Sequence, residues 1–225
     1  AIHATLQQAH DFVRLNHTTQ SIEDIIANFE RELASHYLDD REHEIYLSRG
    51  IDALSKFLGA RYDSFRATQR TELNGASQNF SIRAAHLPGS LAPADINDIH
   101  TTIRVTDYKT GKPSRDWRGK TEYERIKLHK YRQQLMFYQL LVEHSRDYSQ
   151  YQFDGGVLQF VEPTASGQII ALEDSFGSDE LEIFRALIAA VWHCISALTL
   201  PDISGYEPTL AGMQQFEADL IDKYS

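Results

Sequence analysis

The sequence holds 225 residues, 42% apolar and 24% charged, the balance of a soluble globular chain forming one large domain or two small ones. No apolar run approaches the roughly 18 residues of a transmembrane helix. The single cysteine, Cys194, excludes a disulfide framework, a cysteine zinc site and a four-cysteine iron–sulfur cluster, and suits a reducing, cytoplasmic setting. The chain opens without Met on residues that already read as helix interior, so a piece of a longer protein is expected.

Helical periodicity covers 2–16 and 21–38. In the second stretch Ser21 and Asp24 resemble a capping box, and Ile22, Ile25, Ile26, Phe29 and Leu33 recur at 3/4 spacing. A third helix is expected over about 41–65, with Ile45, Leu47, Ile51, Leu54, Phe57 and Leu58 inward. Strand-like segments follow at 67–73 and 79–85, joined by the hairpin signal Asn74-Gly75, and at 94–99 and 102–109; Pro88, Gly89 and Pro93 punctuate the link. A basic loop, 110–120, leads into a long helix, 121–148. Two strands at 151–162 and 167–173 come next. Ser178 is expected to cap a helix over 179–198 with Leu181, Phe184, Leu187, Ile188 and Val191 on one face, and a short helix, 209–223, closes the chain. This order predicts an α/β (α+β) fold with a mixed sheet, in one domain: a helical part, 1–66, a sheet core, 67–175, and C-terminal helices, 176–225.

The net charge of −10 argues by itself against a nucleic-acid binder. Its distribution does not. From Lys109 to Arg132 nine Lys/Arg face three acids, a window of +6 on a remainder of −16. A local cationic stretch on an acidic body holds a polyanion at one place, although a solvated helix face has the same composition.

Chemistry concentrates in Asp95-Ile-Asn-Asp-Ile-His-Thr-Thr-Ile-Arg-Val-Thr-Asp107-Tyr-Lys109-Thr-Gly. Strand residues two apart share a face, so Asp107 and Lys109 project together while Tyr108 points away. If 94–99 and 102–109 form a hairpin, Asp95 is expected near Asp107. Two close carboxylates repel, and one takes up a proton unless a cation lies between them; Mg²⁺ accepts such an oxygen-rich setting. An adjacent ammonium stabilises charge developing on a phosphoryl centre. Acid, acid and lysine around a metal are a phosphodiester-hydrolysis set.

The Asp95 strand followed by D-Y-K-T-G, letter for letter at 107–111, resembles the RecB-type nuclease domain of the PD-(D/E)xK superfamily, found in UvrD/Rep-like helicases and recombination proteins. The likeness spans nearly the whole chain and implies a restriction-endonuclease-like mixed sheet flanked by helices. It also implies Mg²⁺ or Mn²⁺ as cofactor without an iron–sulfur cluster. DNA, single-stranded or with ends, is the implied substrate, and helicase domains of the same longer chain are the implied partners. By matching position, His3, Asp95 and Asp107 become metal ligands with the Tyr108 carbonyl, Lys109 the catalytic lysine, and Glu72 an accessory acid. Glu72 can equally pair with Arg70 or Arg83. Gln134 and Tyr138, in Gln-Leu-Met-Phe-Tyr, orient the site or the DNA backbone, or form helix surface and core rim. Ala94 and Asn97 stand where the family has glycine and arginine, which makes Asp98 a rival to Asp95 and leaves room for a catalytically silent DNA-binding or docking module.

Lys112, Arg115, Arg118 and Lys120 are expected to hold the strand, and Trp117 either stacks on an unpaired base or folds back on the core. Gly119-Lys-Thr121 echoes the tail of a P-loop, but Ser114 stands where its first glycine is needed, so no ATP site is expected.

Overall fold

The computed structural model describes residues 1–70, 79–82, 85–88 and 94–224. The chain divides into two compact units, one of Ala1–Leu73, Ala92–Arg115 and Val157–Leu172, the other of Asn74–Leu91, Asp116–Gly156 and Glu173–Ser225.

In the first unit, α1 (Ile2–Asn16) buries Thr5, Leu6, Ala9, His10 and Val13, and it ends where His17 turns left-handed. Ser21 starts α2 (Ile22–Ala34) by accepting the Asp24 N–H at 3.1 Å. Asp39 does the same for α3 (Asp40–Arg61), accepting from Glu42 at 2.7 Å. These caps satisfy donors that a helix start leaves orphaned. The third helix stops four residues earlier than the periodicity suggests and passes into a 3₁₀ turn at Tyr62–Ser64. Ile45 is 52% exposed rather than inward. The buried face of α3 begins only at Gly50, where the Phe29 ring lies so close that an added Cβ would come within 2.1 Å of it. The three helices enclose one apolar cluster that includes Leu6, Ile25, Phe29, Leu54, Phe57, Phe65, Tyr108 and Val161.

Five strands form a sheet in the order β1-β4-β5-β6-β7, with β1 at Gln69–Arg70, β4 at Ala94–Asn97, β5 at Thr102–Lys109, β6 at Gln152–Phe160 and β7 at Ala171–Asp174. Both β1–β4 and β4–β5 are antiparallel. The β5–β6 connection runs through a long helix, the crossover that parallel neighbours require, so the sheet is mixed. The expected partner of β1 differs: β2 (Asn79–Ile82) pairs with β3 (Ala85–Pro88) in a separate two-stranded ribbon. Pro88 falls at the ribbon's end, where its missing N–H costs little. Asn74-Gly75 lies outside the described residues.

In the second unit, Thr121 caps α4 (Glu122–His144), accepting from Glu124 at 3.2 Å. Gly156 lets Leu135 of α4 press on β6, since a Cβ there would meet Leu135 at 2.8 Å. The N-cap of α5 (Ser178–Ser196) is Gly177, not Ser178, and the Glu180 carboxylate accepts the Gly177 N–H at 3.4 Å. Val191 is exposed; the packed stripe instead runs through Leu187, Ala190 and Cys194 onto Leu220 and Phe216 of α6 (Leu210–Tyr224).

Candidate active site

Strand β5 carries the centre. Its pleat puts Asp107 and Lys109 on one face, and their side chains close an ion pair at 3.0 Å, each with 15% or less of its surface exposed. Tyr108 points to the other face, into the apolar cluster. There the Tyr108 hydroxyl bonds to His10 Nε2 at 2.7 Å, and the ring meets Phe57 edge-on at 5.7 Å. Burial holds the phenol well above its ordinary pKa and pushes His10 down to about 4, opposed by a Gln69 hydrogen bond and the Asp11 charge. Both groups are therefore neutral near pH 7, and one proton is shared between the phenol oxygen and the imidazole nitrogen. The Tyr108 carbonyl accepts from His3 Nε2 at 2.8 Å. Gly111, two residues past Lys109, has φ +133, a conformation that glycine tolerates and that turns the chain out of the strand.

The β4–β5 hairpin forms, in a register that differs from the expected one. Asp95 stands opposite Arg104, and Ala94 opposite Val105. Alternation sets Asp95 on the Arg104 and Tyr108 face, away from Asp107, and Thr68 donates to its carboxylate at 2.7 Å. The reason lies in the turn. Asn97 pairs with Thr102, and its side-chain oxygen accepts the N–H groups of Ile99 and His100, both at 3.1 Å, which fixes a four-residue loop. Asp98 lies in that turn and is exposed. Glu72 lies outside the described residues. Among the described residues no three of His, Cys, Asp and Glu converge as an ion cage.

In the loop after β5, Lys112 and Arg115 are exposed, whereas Ser114 is fully buried. In the second unit, Trp117 folds back, its indole N–H donating to the Glu173 carbonyl at 2.9 Å. Arg118 pairs with Asp116 at 2.9 Å, and Lys120 is exposed, its backbone N–H donating to Glu124. Gly119, at φ +64, packs on the Arg125 backbone and so serves the entry to α4 rather than a phosphate cradle. Gln134 donates to the Tyr138 hydroxyl at 2.8 Å along α4. Arg132, one of the basic window, is held by Asp174 at 2.6 Å and Glu180 at 3.1 Å.

A cavity of about 320 Å³ opens beside His3 in the first unit, lined also by Tyr46, Arg49, Thr110 and Glu162. Arg49 and Glu162 pair there at 2.6 Å. The sequence gives no sign of it, since its walls come from α1, α2, α3 and the residues just past β5 and β6. His10 carries no motif either; only the helical spacing from His3 hints that it shares a face.

A family profile described as the PD-(D/E)XK nuclease superfamily matches residues 1–205. The chain belongs to that superfamily. No curated protein matches it. The mixed sheet and its helices are the restriction-endonuclease-like fold of this superfamily, whose members are generally phosphodiester hydrolases and typically use divalent metal ions. Among the described residues no helix is long and apolar enough to cross a membrane.

The donor atoms at the end of β5 fit such an ion in part. His3 Nε2 and the Tyr108 oxygen, 2.8 Å apart, are donor atoms that a divalent ion accepts, and together they would hold one in place of the proton they share.

Proposed function

We propose that this chain is a Mg²⁺- or Mn²⁺-dependent deoxyribonuclease of the RecB type, acting on single-stranded DNA or DNA ends as part of a longer helicase or recombination-repair protein. The observation that carries the reading is the Asp107–Lys109 pair beside a backbone carbonyl already met by His3. His3, Asp107 and the Tyr108 carbonyl are the proposed ion ligands. A divalent ion bound there supplies an acidified water and neutralises charge on the scissile phosphate. Lys109 places its ammonium where charge develops on the phosphoryl oxygens, and the nearby carboxylate orients it. Glu72 is the proposed source of a further carboxylate. Gln134, Tyr138 and the cations Lys112, Arg115 and Lys120 are proposed, by the same resemblance, to contact DNA. The helicase context and the cytoplasmic setting rest on resemblance and composition.

The test is incubation of end-labelled single-stranded DNA with Mg²⁺ or Mn²⁺, using wild type, Asp107→Ala and Lys109→Ala. Metal-dependent cleavage in the wild type alone supports the enzyme. A second reading, a silent DNA-binding module, is favoured by one observation: Asp95 faces away from Asp107. Equal, salt-sensitive DNA binding with no cleavage by any of the three proteins establishes that reading instead.

A further inference from the structure

We infer that His10 is a positioning residue of the candidate ion centre, holding Tyr108 by its hydroxyl so that the carbonyl of the same residue is presented to His3. This rests on the proposed function, because it assigns a role toward that ion.

His3 and His10 are seven residues apart on α1, two turns and about 10 Å along its axis, hence on nearly the same helix face. Each reaches Tyr108, at opposite ends. His3 Nε2 meets the main-chain oxygen at 2.8 Å, and His10 Nε2 meets the phenol oxygen at 2.7 Å. One residue of β5 is thus clamped by two imidazoles of one helix. His10 is itself fixed: it is 2% exposed and stacks on Phe65 with ring centroids 3.7 Å apart and planes 6° from parallel. Tyr108 sits between Asp107 and Lys109, so any rotation of its peptide moves the carbonyl ligand and both neighbouring side chains together. Partners behind a metal ligand typically alter affinity by about 10–100-fold when removed.

Mn²⁺ binding by the full chain without DNA, followed by the electron-spin signal of the free ion, tests this. His10→Phe keeps a ring against Phe65 but removes the polar partner of the phenol. Tyr108→Phe removes the hydroxyl. Each is expected to weaken Mn²⁺ binding by about tenfold. The double variant leaves neither polar atom orphaned, so its Tm should recover towards wild type while its Mn²⁺ affinity stays as low as in either single variant. His10→Gln, which retains an acceptor, should regain part of the affinity. A double variant that recovers both Tm and affinity overturns the inference, because His10 then serves only packing. Losses that add in the double variant overturn it too, since the two residues then act separately. Unchanged affinity in His10→Phe removes the His10 role and leaves the proposed function standing. Absence of Mn²⁺ binding in the wild type removes both.

Discussion

Lys109 holds Asp107 at 3.0 Å with both side chains mostly shielded from water, so taking away either charge deprives the other of this contact in a setting where water replaces it poorly. Lys109→Met is expected to lower kcat on single-stranded DNA by about 10²–10³-fold with little change in DNA affinity; a loss confined to affinity would make Lys109 a phosphate anchor instead. This pair is legible in the sequence because Asp107 and Lys109 alternate within one strand. His10 is not legible, since it acts on a residue 98 positions away through a fold the local letters do not encode. It nevertheless governs behaviour in acid. Its folded pKa of about 4 lies below the unfolded value of 6.5. The unfolded chain therefore binds the extra proton first, and stability present above pH 6.5 is lost as the pH falls toward 4. The loss amounts to about 3 kcal/mol. Urea titrations at pH 7 and pH 4.5 should show this decline, flattened in His10→Gln.

Among the elements, strand β5 follows the alternation of its sequence to the residue, Thr102–Lys109. Its register does not, because one residue more or less in a hairpin loop moves every side chain of the partner strand to the other face. Asn97 and a left-handed Thr101, φ 52, set that loop. A β-branched residue in this conformation is strained. Thr101→Gly should raise Tm, by an amount corresponding to about 1 kcal/mol, without moving the register. The α2–α3 contact is equally particular. Gly50→Ala drives a methyl into the Phe29 ring and should cost about 1–3 kcal/mol in thermal or urea unfolding. Periodicity placed Ile45 inward because it counts apolar residues and is blind to where the neighbouring helix begins to touch.

For the molecule as a whole, the basic window from Lys109 to Arg132 is evident from composition, and what neutralises it is not. Arg118 and Arg125 are paired with the nearby Asp116 and Glu122, but Arg132 is claimed by Asp174 and Glu180, more than forty residues on. Removing Arg115 and Lys120 together should reduce the slope of log binding against log salt on single strands by about 1.4, at about 0.7 per contact. Arg132→Ala should leave that slope unchanged and lower stability by about 1 kcal/mol or less. The two units are themselves interleaved: each is assembled from three separate stretches of chain. Severing the polypeptide at one bond cannot release either unit intact: removing 173–225 takes only part of the second unit, and removing 1–73 only part of the first. Isolating the first unit would take two rewired connections, across 74–91 and across 116–156, and a chain that stops at Leu172.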